Sequence, residues 1–331
     1  MWTIAFYALL GVLSVSTTVM TLLYFCYPSL LIRLGYKLYR SSCGMQVKFI
    51  GNADTVFCYG EKGKESKDKS SILFIHGYTG SKDHWVQAFK MLGNNHHLVA
   101  IDLPGHGASS TPPAEQELTI EYALESIKLF AEMVGLTDRP FHIVGGSLGG
   151  CLAGMFAATY PHLVERVTLV CPAMKTPEPS EFMKQVERAV EIGAENVQIH
   201  HCSLLPQTTQ ELQLMVESCV YADLKLSSQI LKGVVQLRTP KNEFYLRVFR
   251  NLATLENLTI LENNCHRIIM PSQVIWGEHD QILHKSGAYL LSKKLPNCQD
   301  VTILERCGHS FDLDRPGAFV KALLKFREAN Q

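Results

Sequence analysis

Short apolar runs alternate with helical stretches along most of this 331-residue chain. The runs are rich in β-branched and aliphatic residues: SILFIHG, HLVAIDLPGHG, FHIVGGS, RVTLVCPA, SQVIWGEHD and DVTILE. Such runs indicate strands buried on both faces of a parallel sheet. Helical stretches, such as residues 119–134 and 284–294, separate most of them. The alternation predicts an open, doubly wound α/β sheet, with MQVKFI and TVFCYG as a leading antiparallel pair.

One long interval interrupts this alternation. It has helical periodicity and no clear buried strand, and its amphipathic segments are SEFMKQVERAVE, TQELQLMVESCVY and LSSQILKGVVQL. The interval is longer than a connection between two core strands requires. We therefore predict a helical cap over residues 174–269, above the carboxyl edge of a core formed by 43–173 and 270–331. A helical subdomain packed elsewhere is the alternative.

Ser147 lies in the stretch FHIVGGSLGG, where residues 145–149 fit the pattern G-x-S-x-G. At average Gly and Ser usage the pattern alone occurs by chance in roughly one chain in ten of this length. Its context is more specific, because a strand-like run precedes it and a helix rich in small residues follows it. We predict that Ser147 is a nucleophile and that Leu148 donates its backbone N–H to the attacked carbonyl. A spectator serine in a glycine-rich turn is the alternative.

A serine nucleophile needs a base, and the base needs an orienting carboxylate. Asp280 ends the strand VIWGEHD and His309 follows VTILERCG, which gives the chain order serine, acid, histidine. The 29 residues between them suffice for one helix and one strand, so both side chains are expected beside Ser147. Glu278 and His279 are rivals for the acid and base roles.

The stretch FIHGYTGSKDHW ends the first core strand. We predict that Tyr78 offers its backbone N–H as the second oxyanion donor, and that His76 is structural. The apolar cap residues that we expect to line a substrate channel are Met174, Phe182, Met183 and Met215.

The first 32 residues contain no charged side chain. Residues 3–27 are mostly apolar and would span about 37 Å as a helix at ~1.5 Å per residue, enough to cross a bilayer. We predict a retained transmembrane anchor over residues 1–28, because a signal peptide has a basic start and a shorter apolar run. A cleaved signal peptide and a core helix are the alternatives.

The next segment, residues 29–42, has the pattern of an amphipathic basic helix. Arg33, Lys37 and Arg40 recur at helical spacing beside a leucine-rich face, which predicts a helix in the headgroup layer. Because these charges follow the span, the positive-inside rule places the rest of the chain in the cytosol. Ten unpatterned cysteines, interpreted as reduced and buried, indicate the same side. The membrane could be that of the endoplasmic reticulum, the endolysosomal system or the cell surface.

The composition argues against several other classes of partner. The 31 basic and 31 acidic residues balance, so nucleic acid is not expected. The cysteines form no C-x-x-C pair, and the adjacent pairs His96–His97 and His200–His201 cannot present both rings to one ion on a helix. We therefore predict neither a metal nor an organic cofactor.

These segments together resemble a known family. The His76–Gly77 turn, DLPGHG, the serine elbow, WGEHD and CGHS are similar to α/β-hydrolase-fold serine hydrolases. The anchor, YPSLLIR, GMQVKF, LVCPA and VIWGEHDQIL more closely resemble animal monoacylglycerol lipases of the alpha/beta hydrolase domain-containing protein 6 type. That resemblance implies hydrolysis of monoacylglycerols, and also of lysophospholipids, at cytosol-facing membranes. The elbow departs from the family's Gly-Thr-Ser-Met-Gly and reads Gly-Gly-Ser-Leu-Gly.

Other functions remain open on the sequence. His309 to Asp314 reads H-x-x-x-x-D, a signature claimed for glycerolipid acyltransferases, so acyl transfer to a lysolipid is one alternative. A C–C bond hydrolase would use the same triad. A catalytically silent receptor or scaffold usually lacks a triad residue, and this chain has all three. Serine at position 147 argues against epoxide and dehalogenating hydrolases, which use an aspartate nucleophile.

Overall fold

The computed structural model describes residues 2–329 and contains one eight-stranded sheet. Its strands are β1 (Gln46–Gly51), β2 (Val56–Lys62), β3 (Ile72–Ile75), β4 (Leu98–Ile101), β5 (Phe141–Gly146), β6 (Val164–Val170), β7 (Ser272–Gly277) and β8 (Cys298–Leu304). Their order is β1-β2-β4-β3-β5-β6-β7-β8. The first two pair antiparallel, and β3 to β8 are mutually parallel. The predicted α/β sheet with a leading antiparallel pair is confirmed.

The helices fall into three groups along the chain. The first group is α1 (Trp2–Cys26) and α2 (Pro28–Ser42). Helices that alternate with the strands are α3 (Val86–Leu92), α4 (Ile120–Met133), α5 (Leu148–Thr159), α11 (Ser286–Lys294), α12 (Phe311–Asp314) and α13 (Pro316–Glu328). The interval 174–269 contains α6 (Glu181–Ile192), α7 (Thr209–Cys219), α8 (Ser228–Arg238), α9 (Asn242–Leu252) and α10 (Leu255–Asn264), and no strand among its residues.

Helices cover both faces of the sheet. Neighbouring residues of a strand point to opposite faces. In β5, a Cβ at Gly145 would meet the start of α5, whereas a Cβ at Gly146 would face Phe311 and Trp85. Helices α3 and α13 contact each other, as do α4 and α5. The central strands β3, β4 and β5 are fully buried, which explains why they are continuous apolar runs.

The parallel register brings the carboxyl ends of the strands to one edge. Gly145 in β5 aligns with Ile75 in β3, and Gly146 aligns with Val170 in β6. Because β7 and β8 also run in this direction, the loops after β3, β5, β7 and β8 leave the sheet at the same edge. These four loops contain the predicted oxyanion donor and the predicted triad.

Helix α1 is long and apolar enough to cross a membrane. Helix α2 begins at Pro28, a favourable first position because the proline has no N–H to leave unbonded. It packs against α8, where a Cβ at Gly233 would lie 2.7 Å from the carbonyl oxygen of Pro28. At the same junction the Tyr24 hydroxyl lies 3.4 Å from Ser227 Oγ.

One side of α2 is exposed. Leu30, Leu34 and Leu38 are all more than one-third exposed, and Arg33 and Lys37 are exposed as well. Arg40, the third basic residue of the predicted pattern, does not face the solvent with the other two. Its guanidinium is paired with the Asp83 carboxylate at 2.7 Å. Helical spacing alone does not distinguish a basic side chain that faces lipid headgroups from one that is paired with an acid of the core.

Candidate active site

Ser147 occupies a strained turn between β5 and α5. Its φ of +57° and ψ of −121° are rare for a residue with a side chain. The turn requires glycine around it, because a Cβ at Gly145 would lie 1.9 Å from the Gly149 carbonyl oxygen. A Cβ at Gly149 would lie 2.2 Å from the Ile75 carbonyl oxygen. This tight packing holds Ser147 in the turn, and its carbonyl accepts the backbone N–H groups of Gly150 and Cys151 at the start of α5, at 2.9 and 3.1 Å.

His309 and Asp280 meet at the same edge of the sheet. His309 Nδ1 donates to Asp280 Oδ2 over 2.8 Å. The other carboxylate oxygen accepts the backbone N–H groups of Ile282 and Leu283, at 2.8 and 2.9 Å, which fixes its orientation. In its neutral form the imidazole would therefore carry its proton on Nδ1 and present Nε2 as the base. Among the described residues, Ser147 Oγ makes no hydrogen bond to His309, so this half of the predicted triad is unformed in the conformation observed.

The charge of Asp280 determines the protonation behaviour of His309. Burial disfavours a charged imidazole, but the adjacent carboxylate prevails and holds the pKa of His309 well above its ordinary value. The pair is therefore suited to accept a proton from a serine hydroxyl and to stabilise the resulting imidazolium.

The rival residues in the same turn are directed elsewhere. The Glu278 carboxylate lies 3.3 Å from the ring of His279, and that ring stacks on Tyr221. Both side chains are at least one-third exposed. Neither hydrogen-bonds to Ser147 or His309 within the part of the chain that the structure describes.

Asp314, the second residue of the H-x-x-x-x-D signature, binds backbone. Its Oδ2 accepts the N–H groups of Gly308 and Tyr221, each at 2.8 Å, and its Oδ1 accepts that of Ala222 at 3.2 Å. Because Gly308 precedes His309, and residues 221 and 222 follow α7, this carboxylate ties the histidine loop to the inserted helices. The Ser310 N–H adds a bond to the Cys219 carbonyl at 2.8 Å.

The loop after β3 lies against the serine turn. A Cβ at Gly77 would be 3.0 Å from that of Ser147, so Tyr78 follows at close range. The Tyr78 hydroxyl donates to the Tyr245 carbonyl at 2.7 Å, and among the described residues the Tyr78 backbone N–H has no hydrogen-bond partner. His76 donates to the Gly77 carbonyl and accepts from Leu103 N–H. Burial lowers the pKa of His76 to about 4, as suits a neutral structural histidine.

An apolar cavity of about 80 Å³ adjoins Ser147. Tyr78, Leu148 and three of the predicted channel residues line it: Met174, Phe182 and Met183. Met215 lines a second, open pocket of about 450 Å³ between α6 and α7, which shares Phe182 and Ile282 with the first. Val186 and Phe249 also line the inner cavity and were not predicted from the sequence. The apolar spacing of Phe182, Met183 and Val186 on α6 is the signal that could have identified Val186.

Three potential metal ligands cluster at this site. Ligand atoms of Cys171, Asp280 and His309 lie within 4.8 Å of one another. Burial raises the pKa of the Cys171 thiol, which disfavours the thiolate that binds metals. The histidine and the carboxylate are also hydrogen-bonded to each other. The cluster therefore fits a serine-hydrolase site better than a metal centre.

Comparison with known proteins places this geometry in a family. The family model for the α/β hydrolase fold matches residues 71–316. The monoacylglycerol lipase ABHD6 of Homo sapiens is 36% identical over 317 residues, which cover 96% of this chain and 92% of the relative. The enzyme of the same name from Bos taurus is 38% identical over 301 residues, which cover 91% of this chain and 87% of the relative.

Solved structures show the same fold at lower sequence identity. A bacterial membrane phospholipase A superposes with a TM-score of 0.80 at 24% identity, covering 98% of both chains. A putative lipase of Acinetobacter baumannii has a TM-score of 0.77 at 23% identity, covering 90% of this chain and 97% of its own. With the relatives above, these likenesses lead to one conclusion: the chain belongs to the α/β-hydrolase-fold family and is a hydrolase of the ABHD6 type.

Proposed function

We propose that this protein is a membrane-anchored serine hydrolase that releases the fatty acid of monoacylglycerols through an acyl-enzyme on Ser147. The observation that carries the proposal is the strained serine elbow, which opens on an apolar cavity and faces the same sheet edge as the His309–Asp280 pair. The two mammalian relatives named monoacylglycerol lipase support the choice of ester.

The residues take the following roles. Ser147 Oγ attacks the acyl carbonyl while His309 Nε2 accepts its proton, and the N–H groups of Tyr78 and Leu148 stabilise the negative oxygen. The tetrahedral intermediate then breaks its bond to the glycerol oxygen, which receives the proton from His309. Water, deprotonated by the same imidazole, releases the fatty acid and regenerates the serine. Asp280 keeps the imidazole oriented and stabilises its charge throughout.

Helix α6 and the other inserted helices act as a movable cap over the acyl chain. The inner cavity of about 80 Å³ is far below the roughly 300–1,000 Å³ of ordinary ligand pockets. Phe182 and Ile282 separate it from the larger outer pocket. A displacement of α6 that moves Phe182 would join the two spaces and admit a long acyl chain. Asp314, bonded to three backbone N–H groups, supports hydrolysis over acyl transfer.

The membrane is the second partner in this proposal. Helix α1 spans the bilayer, and α2 lies in the headgroup layer with the exposed Leu30, Leu34 and Leu38 toward the lipid and Arg33 and Lys37 toward phosphates. The positive charges on this side of the span support a cytosolic hydrolase domain, at the endoplasmic reticulum, an endolysosomal membrane or the cell surface.

The Ser147→Ala variant tests the nucleophile. We expect it to fold, to lose monoacylglycerol hydrolysis in membranes, and to lose labelling by a fluorophosphonate probe. Ser292→Ala is the matched control, since that hydroxyl donates to the Tyr289 carbonyl of its own helix at 2.9 Å, and it should retain both signals. Undiminished labelling of Ser147→Ala would refute the assignment.

A further inference from the structure

The loop that follows β3 contains a strained residue beside the proposed oxyanion donor. Thr79 has φ +56°, and a β-branched side chain rarely adopts this left-handed region. The Gly80 N–H bonds to the Gly77 carbonyl at 3.0 Å, so the strain falls within a tight turn around Tyr78. A conformation of this kind persists only where surrounding contacts hold it.

Arg238, at the end of α8, supplies such a contact. Its Nη2 donates to Thr79 Oγ1 at 2.9 Å and to the Leu204 carbonyl at 3.1 Å, and lies 3.7 Å from Met215 Sδ. Its Nε is buried and has no hydrogen-bond partner among the residues that the structure describes. Among residues 2–329 no Asp or Glu forms an ion pair with it, and burial lowers the pKa of the guanidinium. Keeping a cation here without a counter-ion is unfavourable, so general stability does not account for its presence.

The contacts of α8 with α1 and α2 determine where the Arg238 guanidinium lies. The beginning of α8 meets the end of α1 through Ser227 and Tyr24, and its middle lies against Pro28 through Gly233. Arg238, the last residue of α8, reaches the loop after β3 at Thr79. A rigid helix fixed at two points therefore delivers the arginine to Thr79.

We propose that Arg238 is a positioning residue for the oxyanion hole: by holding the Thr79 hydroxyl it keeps the loop in the conformation that points the Tyr78 N–H at the reacting carbonyl oxygen. The inference rests on the proposed esterase function. The Tyr78 N–H is aimed at an oxyanion that forms only in the transition state. A displacement of this donor by about a few tenths of an ångström therefore weakens binding of the transition state and leaves binding of the substrate almost unchanged, so loss of Arg238 should lower kcat and leave KM nearly unchanged.

Substitutions at both ends of the contact test this role. Thr79→Val keeps the shape and removes the acceptor, whereas Thr79→Ser keeps the hydroxyl. Arg238→Met removes the guanidinium. We expect Thr79→Val and Arg238→Met to lower kcat by about 10- to 100-fold with KM within about twofold, and Thr79→Ser to remain near wild type. The matched control is Arg250→Met, which loses bonds to the Val197 carbonyl on the cap and should keep full activity.

A transition-state analogue separates positioning from a merely structural effect. An alkyl trifluoromethyl ketone forms a tetrahedral oxyanion adduct with a serine nucleophile, so its affinity should fall by the same factor as kcat in Thr79→Val and Arg238→Met. The affinity for the fatty-acid product should stay unchanged. Equal losses of both affinities, or a Thr79→Val variant as fast as wild type, would overturn the proposal. If wild type itself neither hydrolyses monoacylglycerol nor reacts with a fluorophosphonate, the esterase function fails instead.

Discussion

The Asp314 carboxylate offers a direct way to distinguish a structural acid from an acyltransferase motif. It accepts three backbone N–H groups, two from Tyr221 and Ala222 after α7 and one from Gly308, which precedes His309. A hydrogen bond to a charged group contributes roughly 1.5–3 kcal/mol, and the half-buried position of this carboxylate reduces that value. Asp314→Ala should therefore lower the free energy of unfolding by about 2–4 kcal/mol, which corresponds to about 3–6 °C in Tm for a chain of this size.

The milder Asp314→Asn variant sharpens the test. Its amide oxygen can replace Oδ2 and keep the two 2.8 Å bonds, while its amide nitrogen faces the Ala222 N–H, whose bond is the longest at 3.2 Å. We expect about half of the alanine effect. Asp223→Ala is the control, because that carboxylate is 83% exposed and its ion pair is with Lys225 at 3.3 Å; it should change stability by less than about 0.5 kcal/mol.

Thermal unfolding in detergent gives the stabilities, and hydrolysis and acyl transfer are measured on the same samples with monoacylglycerol and a lysolipid acceptor. Without the Asp314 carboxylate, the loop that contains His309 loses its hydrogen-bonded link to Tyr221 and Ala222 and becomes less well ordered. We therefore expect hydrolysis to fall in Asp314→Ala more than in Asp314→Asn. Any acyl transfer should fall in the same proportion. Unchanged Tm together with selective loss of acyl transfer would refute this reasoning and restore the acyltransferase interpretation.

Two further predictions concern the charge on His309 and the orientation of the anchor. Hydrolysis needs the neutral imidazole, so wild-type activity should rise with pH through the raised pKa of His309. Asp280→Asn removes the charge that raises this pKa. The acidic limb of the kcat/KM profile should therefore move to lower pH, while the maximum of the profile falls about 10⁴-fold. An acidic limb that stays in place would contradict the role of Asp280. Protease added to intact microsomes should digest the hydrolase domain, and protection of that domain would reverse the orientation derived from Arg33 and Lys37.

The elements that the sequence predicted best are those in which local pattern and packing agree. β5 is buried on both faces, and Gly145 and Gly149 are required by carbonyl oxygens only about 2 Å from where a Cβ would lie. Residues 141–150 therefore contain the sequence signal for both the strand and the strained turn, whereas the role of Ser147 as nucleophile stays a prediction. The bond between His309 and Asp280 was predictable because the parallel register places both loops at the edge that carries Ser147.

What the sequence could not predict depends on how separate helices pack. Arg40 belongs to a helix with a basic spacing, and only the fold brings Asp83 to its guanidinium. Arg238 and Thr79 are 159 positions apart, and no periodicity connects them. Met215 was predicted to line the substrate channel, yet in the structure it lines the outer pocket.

The close approach of α8 to α2 has a practical consequence for anyone who makes this enzyme. Removing the first 42 residues to obtain a water-soluble protein would also remove Pro28, against which Gly233 is seated. Helix α8, which contains Arg238, would then lose its contact with α2, while Ser147, Asp280 and His309 would all remain in the chain. If Arg238 positions the loop at Tyr78 and Thr79 as proposed, this loop would be less well ordered in the truncated protein. The kinetic constants of the truncated protein would then differ from those of the full chain in a membrane.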